Sequence, residues 1–232
     1  RMNYKSVISS YLGLSGMYAA FWYWEEKYLI YTEKKEDLLG AIVGTHGGYG
    51  HYMNIAVIYM AVFLMFVFKE IEPFSIKAVS RAGRTISFRK CFLQMLELSA
   101  GYSFIYVGVQ VVGVSIFVDK DILIKNNFWG IMMFYYIAVF IIFSFGGVCY
   151  LLLYVITKLK IVSLLLTIAV NIFVVFFLKA DNCYFGLTII DNMSFGGYMQ
   201  IAIWLLKRVK DFAITTGIYI VAGIIYEKKD IV

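Results

Sequence analysis

Charge is scarce in this chain. Charged side chains make up 16% of its 232 residues against 62% hydrophobic ones, and almost every charge falls between long apolar runs. A water-soluble domain needs a polar surface, so this composition excludes one; the bilayer is the solvent. Little length remains for a globular catalytic domain between runs that each need roughly 20 residues to span. The three cysteines, Cys91, Cys149 and Cys183, lie far apart with neither CxxC nor Cys/His spacing, and read as small apolar residues. Two histidines, His46 and His51, are too few for a metal site, which takes three or four ligands. HExxH is absent, and the pair Glu25-Glu26 is followed by Ile30 where an EExxxR protease carries arginine. No GxxxxGK[ST] occurs; the stretch GTHGGYGHY (44–52) lacks the lysine and follows no soluble strand, so this chain does not itself hydrolyse ATP through a phosphate loop. Proline occurs once, and Phe, Tyr, Ile and Lys are abundant, the bias of an AT-rich bacterial genome.

What is present is a series of apolar runs. The first, about Val7 to Trp24, closes on Phe21-Trp22-Tyr23-Trp24, an aromatic belt at a headgroup boundary. It lacks a small-residue cleavage site and reads as a retained span. An acidic loop, Glu25 to Asp37, and a glycine-rich stretch, Gly40 to Gly50, precede a second span from about His51 to Phe68. The third run is Cys91 to Val118, the fourth Phe128 to Thr157 and the fifth Ile161 to Leu178, with polar turns at 119–127 and 158–160. A last run, Phe212 to Tyr226, is about 22 Å long as a helix, too short to span alone. Either the last helix starts near Ile203, giving six spans, or Cys183 to Leu206 is a seventh span that ends at Lys207-Arg208-Lys210. Six are preferred, because Asp191, Asn192 and two adjacent glycines sit poorly at mid-membrane. The net charge of +6 reflects basic residues retained on the cytoplasmic side. With the N-terminus inside, 12 Lys and Arg fall inside and 9 outside; the seven-span count is 13 to 8. The expected fold is an all-α polytopic bundle, one membrane domain over 1–232.

The most basic segment is Lys69 to Lys90, KEIEPFSIKAVSRAGRTISFRK. Pro73 can open a helix. Phe74, Ile76, Val79, Ile86 and Phe88 alternate with Lys77, Arg81, Arg84, Arg89 and Lys90, the pattern of a short amphipathic helix at the cytosolic surface. It reads either as a topology-setting loop that meets anionic lipid or as a docking element for a cytosolic partner. Glu97 is the one acid well inside an apolar run; it reads as a boundary residue paired with Arg89 or Lys90, about 10 Å into its helix, as a relay for motion of the basic segment, or as a proton carrier. Gln94, Gln110, Asn54 and Asn171 are the amides at depth, able to hold helices together or to line a path. The glycine-rich stretch reads as a flexible outer turn or as a substrate or gating loop.

About six spans, short loops, the element SRAGRTISFRK after the second span and the charged tail YEKKDI after the last make the chain resemble a bacterial ABC-2-type transporter permease. More narrowly it resembles the small permeases of peptide export and of antimicrobial-peptide immunity. The resemblance implies a cytosolic coupling helix between the second and third spans that docks on an ATPase subunit, here Phe74, Ile76, Lys77, Val79, Arg81, Arg84 and Phe88. It implies ATP and magnesium on that partner chain, none on this one, and a second permease copy or a sister permease to complete the pathway. The expected cargo is an amphipathic or hydrophobic peptide. The expected place is the bacterial cell membrane, with lipid contact and no nucleic acid. The family's amphipathic helix before the first span is expected to be shortened or missing. The competing reading is a membrane accessory or immunity protein with no ATPase partner.

Overall fold

A computed structural model describes residues 4–33, 38–39, 42, 48–51, 54–71, 83–177 and 198–228. Among the described residues all secondary structure is helical: α1 (Tyr4–Thr32), a π-helical turn (Asn54–Tyr59) running into α2 (Met60–Glu70), α3 (Arg84–Phe117), the short α4 (Lys120–Lys125), α5 (Phe128–Thr157), α6 (Lys160–Phe177) and α7 (Tyr198–Lys228). Among the described residues three helices are long and apolar enough to cross a membrane, Arg84–Phe117, Phe128–Thr157 and Trp204–Lys228; Lys160–Val174 is a shorter apolar stretch.

The long helices alternate in direction. Tyr11 and Trp22 of α1 meet Leu98 and Gln110 of α3, so those two run parallel. Phe143 of α5 meets Tyr102, and Tyr135 meets Tyr106, so α5 runs back against α3. Phe88 and Phe92 stack on Tyr226 and Tyr219, which sets α7 antiparallel to α3. Helix α5 is the central post, packed against α2, α3, α4, α6 and α7. Its glycines let neighbours close in: a Cβ on Gly146 would stand 2.4 Å from Met60 Sδ, and one on Gly147 2.1 Å from Met95 Sδ. Outward faces stay apolar, with Leu12, Phe104 and Met133 each at least 70% exposed. That is the surface of a bundle dissolved in lipid, and the chain is a helical membrane protein.

Helix α5 has the ends expected from the sequence. Asn127 and Lys158, both left-handed, punctuate it, and the Lys158 N–H returns to Tyr154 O at 2.8 Å. Two boundaries differ from expectation. Helix α1 does not end at the Trp24 belt but continues through Glu25-Glu26 to Thr32, because a distant loop covers Glu26 and removes its need for water. Helix α3 starts at Arg84 rather than Cys91, so Arg84 and Phe88 are helical residues of its first turns. Helix α7, by contrast, passes through Lys207–Lys210 without a turn, as in the alternative that starts the last helix near Ile203, and no separate span ends there. The cluster is tolerated because Arg208 pairs with Asp211 one turn on at 3.0 Å, and its guanidinium lies 5.2 Å from the Trp204 ring. The stretch 119–127 is likewise not a plain turn but contains α4.

Candidate functional site

Two places in the bundle concentrate polar chemistry, one at each end. The first is where α3 begins and α7 finishes. Arg84 donates to the Glu227 carbonyl at 3.1 Å, and the Thr85 hydroxyl donates to Glu227 Oε1 at 2.8 Å. Phe88 stacks against Tyr219 and Tyr226, centroids 5.3 and 5.5 Å away. The root of the basic segment is thereby clasped to the C-terminal turns of the last helix. Phe74, Ile76, Lys77, Val79 and Arg81 lie outside the described residues. Helix α3 is about 50 Å long and exceeds the hydrocarbon thickness.

Glu97 is exposed on α3, about 20 Å along the helix from Arg84, not 10 Å. It does not pair with Arg89 or Lys90, which precede it by about two turns, beyond the reach of the one-turn neighbours that meet on a helix. Gln94 is half-buried on the same helix. Asn171 donates to Thr167 O at 2.9 Å and stands below Ser163 and Thr167 in a buried column at every fourth position of α6. Gln110 and Asn54 belong to the second site.

That second site is at the opposite end, between α1, α3, the π turn and the loop 48–51. Two sets of residues at every fourth position face each other, Tyr18, Trp22 and Glu26 on α1 and Tyr102, Tyr106 and Gln110 on α3, all buried. Trp22 Nε1 donates to Gln110 Oε1 at 2.8 Å, and the Tyr18 and Tyr102 hydroxyls hydrogen-bond each other. Tyr102 also donates to the Tyr59 carbonyl at 2.8 Å, at the last residue of the π turn. The loop residue Tyr49 enters this stack. Its ring lies 4.7 Å from that of Tyr106 at 13°, and the two exchange bonds: Tyr49 OH to Tyr106 O at 3.2 Å, Tyr106 OH to Tyr49 O at 2.8 Å.

Glu26 sits beneath the loop with no exposed surface, and its Oε1 accepts the Tyr49 N–H at 2.7 Å. Gly48 makes this possible. It holds φ +71, and a Cβ there would stand 2.2 Å from Glu26 Oε1. Asn54 Nδ2 bridges Glu25 Oε1 at 3.2 Å and the Gly48 carbonyl at 3.0 Å. Both glutamates follow the apolar part of α1 (7–24). Burial pushes the Glu26 carboxyl up to about 7, opposed by the Tyr49 N–H bond and assisted by Glu25. Burial raises Glu25 as well.

The sequence reading missed Glu25, Glu26, Gly48 and the tyrosines. The two fourfold-spaced sets were visible signals. That Glu26 is covered depends on a loop 22 residues away and was not. Among the described residues no cluster of three or more His, Cys, Asp or Glu could hold a metal ion. Compared with protein-family profiles, with curated proteins and with solved structures, the chain matches none.

Proposed function

We propose that the chain is the membrane-embedded permease subunit of an ATP-driven transporter of the ABC-2 kind, exporting an amphipathic or antimicrobial peptide or conferring immunity to one. In this reading six helices span the bacterial cell membrane with the N-terminus cytosolic. ATP and magnesium act on a partner ATPase, and a second permease copy or a sister permease completes the pathway. The observation that carries the reading is the clasp between the root of the basic segment and the last helix. Whatever grips residues 74–81 pulls on α3 directly and on α7 through Glu227, Tyr226 and Tyr219. A docked ATPase that moves the segment therefore moves two long helices as one, which suits alternation between inward-facing and outward-facing states.

The test is a mild-detergent pull-down from the native membrane. The expected result is an ATP-binding-cassette subunit that co-purifies and is lost on Lys77→Glu with Arg81→Glu, changes placed before the clasp so that the bundle is spared. Retention of that subunit by the double variant would refute the docking role. A second reading, an accessory or immunity protein without an ATPase, draws support from a lateral apolar groove of about 600 Å³ between α1 and α3, lined by Ala19, Trp22, Phe104, Gly108, Val112 and Phe117. Purification alone, or only with other membrane proteins, would favour it.

A further inference from the structure

We propose that the loop 48–51 is a proton-operated latch, closed on α1 while the Glu26 carboxyl holds a proton and released when that carboxyl ionises. The loop lies so close over Glu26 that a Cβ on Gly48 would stand 2.2 Å from Oε1, the oxygen that accepts the Tyr49 N–H at 2.7 Å. The other oxygen, Oε2, is sealed from solvent and has no hydrogen-bond partner. Among the described residues no Lys, Arg or His lies within ion-pair distance of either glutamate. An ionised carboxylate offers about four lone-pair sites, and one backbone N–H is the donor it has here. A sealed charge met by a single donor is costly, whereas the neutral acid brings no charge into the site. The closed loop therefore fits the protonated form, and ionisation calls for water at Oε2.

The loop is the part able to give way. Glu26 belongs to the continuous helix α1, while the loop is tied to its surroundings by the Tyr49 N–H on Glu26, the Tyr49–Tyr106 exchange and the Asn54 amide on the Gly48 carbonyl. Asn54 also holds Glu25 Oε1, so one of these ties shares its donor with the neighbouring carboxyl. Short segments with few bonds open more readily than packed helices. The groups around Glu26 come from every element that meets the loop. On α1, Glu25 is the charge that acts on Glu26, and it opposes ionisation. On the loop itself stands His51, half-buried, and histidine ordinarily titrates near neutrality, so it is the necessary control. Tyr18, Tyr59 and Tyr106 surround the Tyr49 ring from α1, the π turn and α3, and the Tyr135 hydroxyl of α5 stands beside Gly50. Tyrosines titrate at about 10 or above when buried and stay neutral throughout. Burial places the transition of Glu26 in the accessible range, with its carboxyl pushed up to about 7. The latch does not depend on the permease reading or on any partner.

The test is hydrogen exchange of the purified full chain in detergent, read by mass spectrometry over peptides that cover 48–51 and corrected for intrinsic exchange rates, between about pH 5 and pH 8. The expected result is protection that falls by about tenfold per pH unit, the linkage of one proton, until about pH 7 and is level above it. Glu26→Gln, which keeps an oxygen for the Tyr49 N–H and cannot ionise, makes the protection independent of pH. His51→Gln leaves the decline in place. Glu25→Gln, which removes the neighbouring charge, ends the decline at a lower pH. If Glu26→Gln fails to fold, Glu25→Gln decides, and an unmoved end point would overturn the proposal. So would flat protection in the unaltered chain, an unchanged decline in Glu26→Gln, or loss of the decline in His51→Gln. Loop protection equal to that of α5 at every pH would overturn it too, because the loop would then open only with the whole bundle.

Discussion

At the scale of single residues, Glu26 joins α1 to the loop 48–51, whose Tyr49 lies 23 residues further along the chain. Its carboxyl is raised by burial to about 7, above its unfolded value of about 4.5. Over that interval the folded state holds more protons than the unfolded one, so stability falls as pH rises from about 4.5 to 7 and levels off beyond. Melting curves of the detergent-purified chain in choline salts should show that decline, and Glu26→Gln should flatten it. A decline of equal slope in the variant would assign the pH dependence elsewhere. Gly48 is the matching test on the loop side. Gly48→Ala forces an L side chain into the left-handed region, at about 1–2 kcal/mol, and sets its Cβ against Glu26 Oε1. It should lower the unfolding temperature, whereas Gly13→Ala, where a Cβ meets nothing within 4 Å, should not.

At the scale of elements, the clasp makes α3 and α7 one mechanical unit. Phe88→Ala removes two aromatic pairs, worth about 1–3 kcal/mol together, while Ile86→Ala, on the exposed face, should cost little. Thermal unfolding of the two variants checks this; equal losses would mean that the stacking contributes nothing. The elements also show what could be read from the chain. Helix α5 was legible to the residue because Asn126-Asn127 and Lys158-Leu159-Lys160 are local punctuation. The end of α1 was not, since Glu25-Glu26 looks like the start of a solvated loop until residue 49 comes down upon it. Nor was the start of α3: Arg84, Arg89 and Lys90 read as loop charges, yet they are compatible with a helix whose first turns stand at headgroup level. The amides were recognisable as a class, but only packing separates Gln110, bonded to Trp22, from Gln94.

At the scale of the whole molecule, the described helices are apolar on both sides: leucine, phenylalanine and methionine fill the core beside the buried tyrosines, amides and Glu26, and also cover the outward faces. The apolar runs and the three helices able to cross a membrane agree on this class. The alternation of helices sets the clasp, the turn 158–160 and the described ends of the basic segment, 69–71 and 83–90, at one end, and loop 48–51 and α4 at the other. The permease reading needs the first end in the cytosol. The direct measurement is labelling of Lys158→Cys and Lys125→Cys, both exposed and at opposite ends of α5, with an impermeant thiol reagent on intact cells in a background lacking the native cysteines. The account predicts that Lys125→Cys reacts from outside and Lys158→Cys only after the membrane is opened. The reverse pattern would put residues 69–90 outside, beyond the reach of any ATPase, and would contradict it.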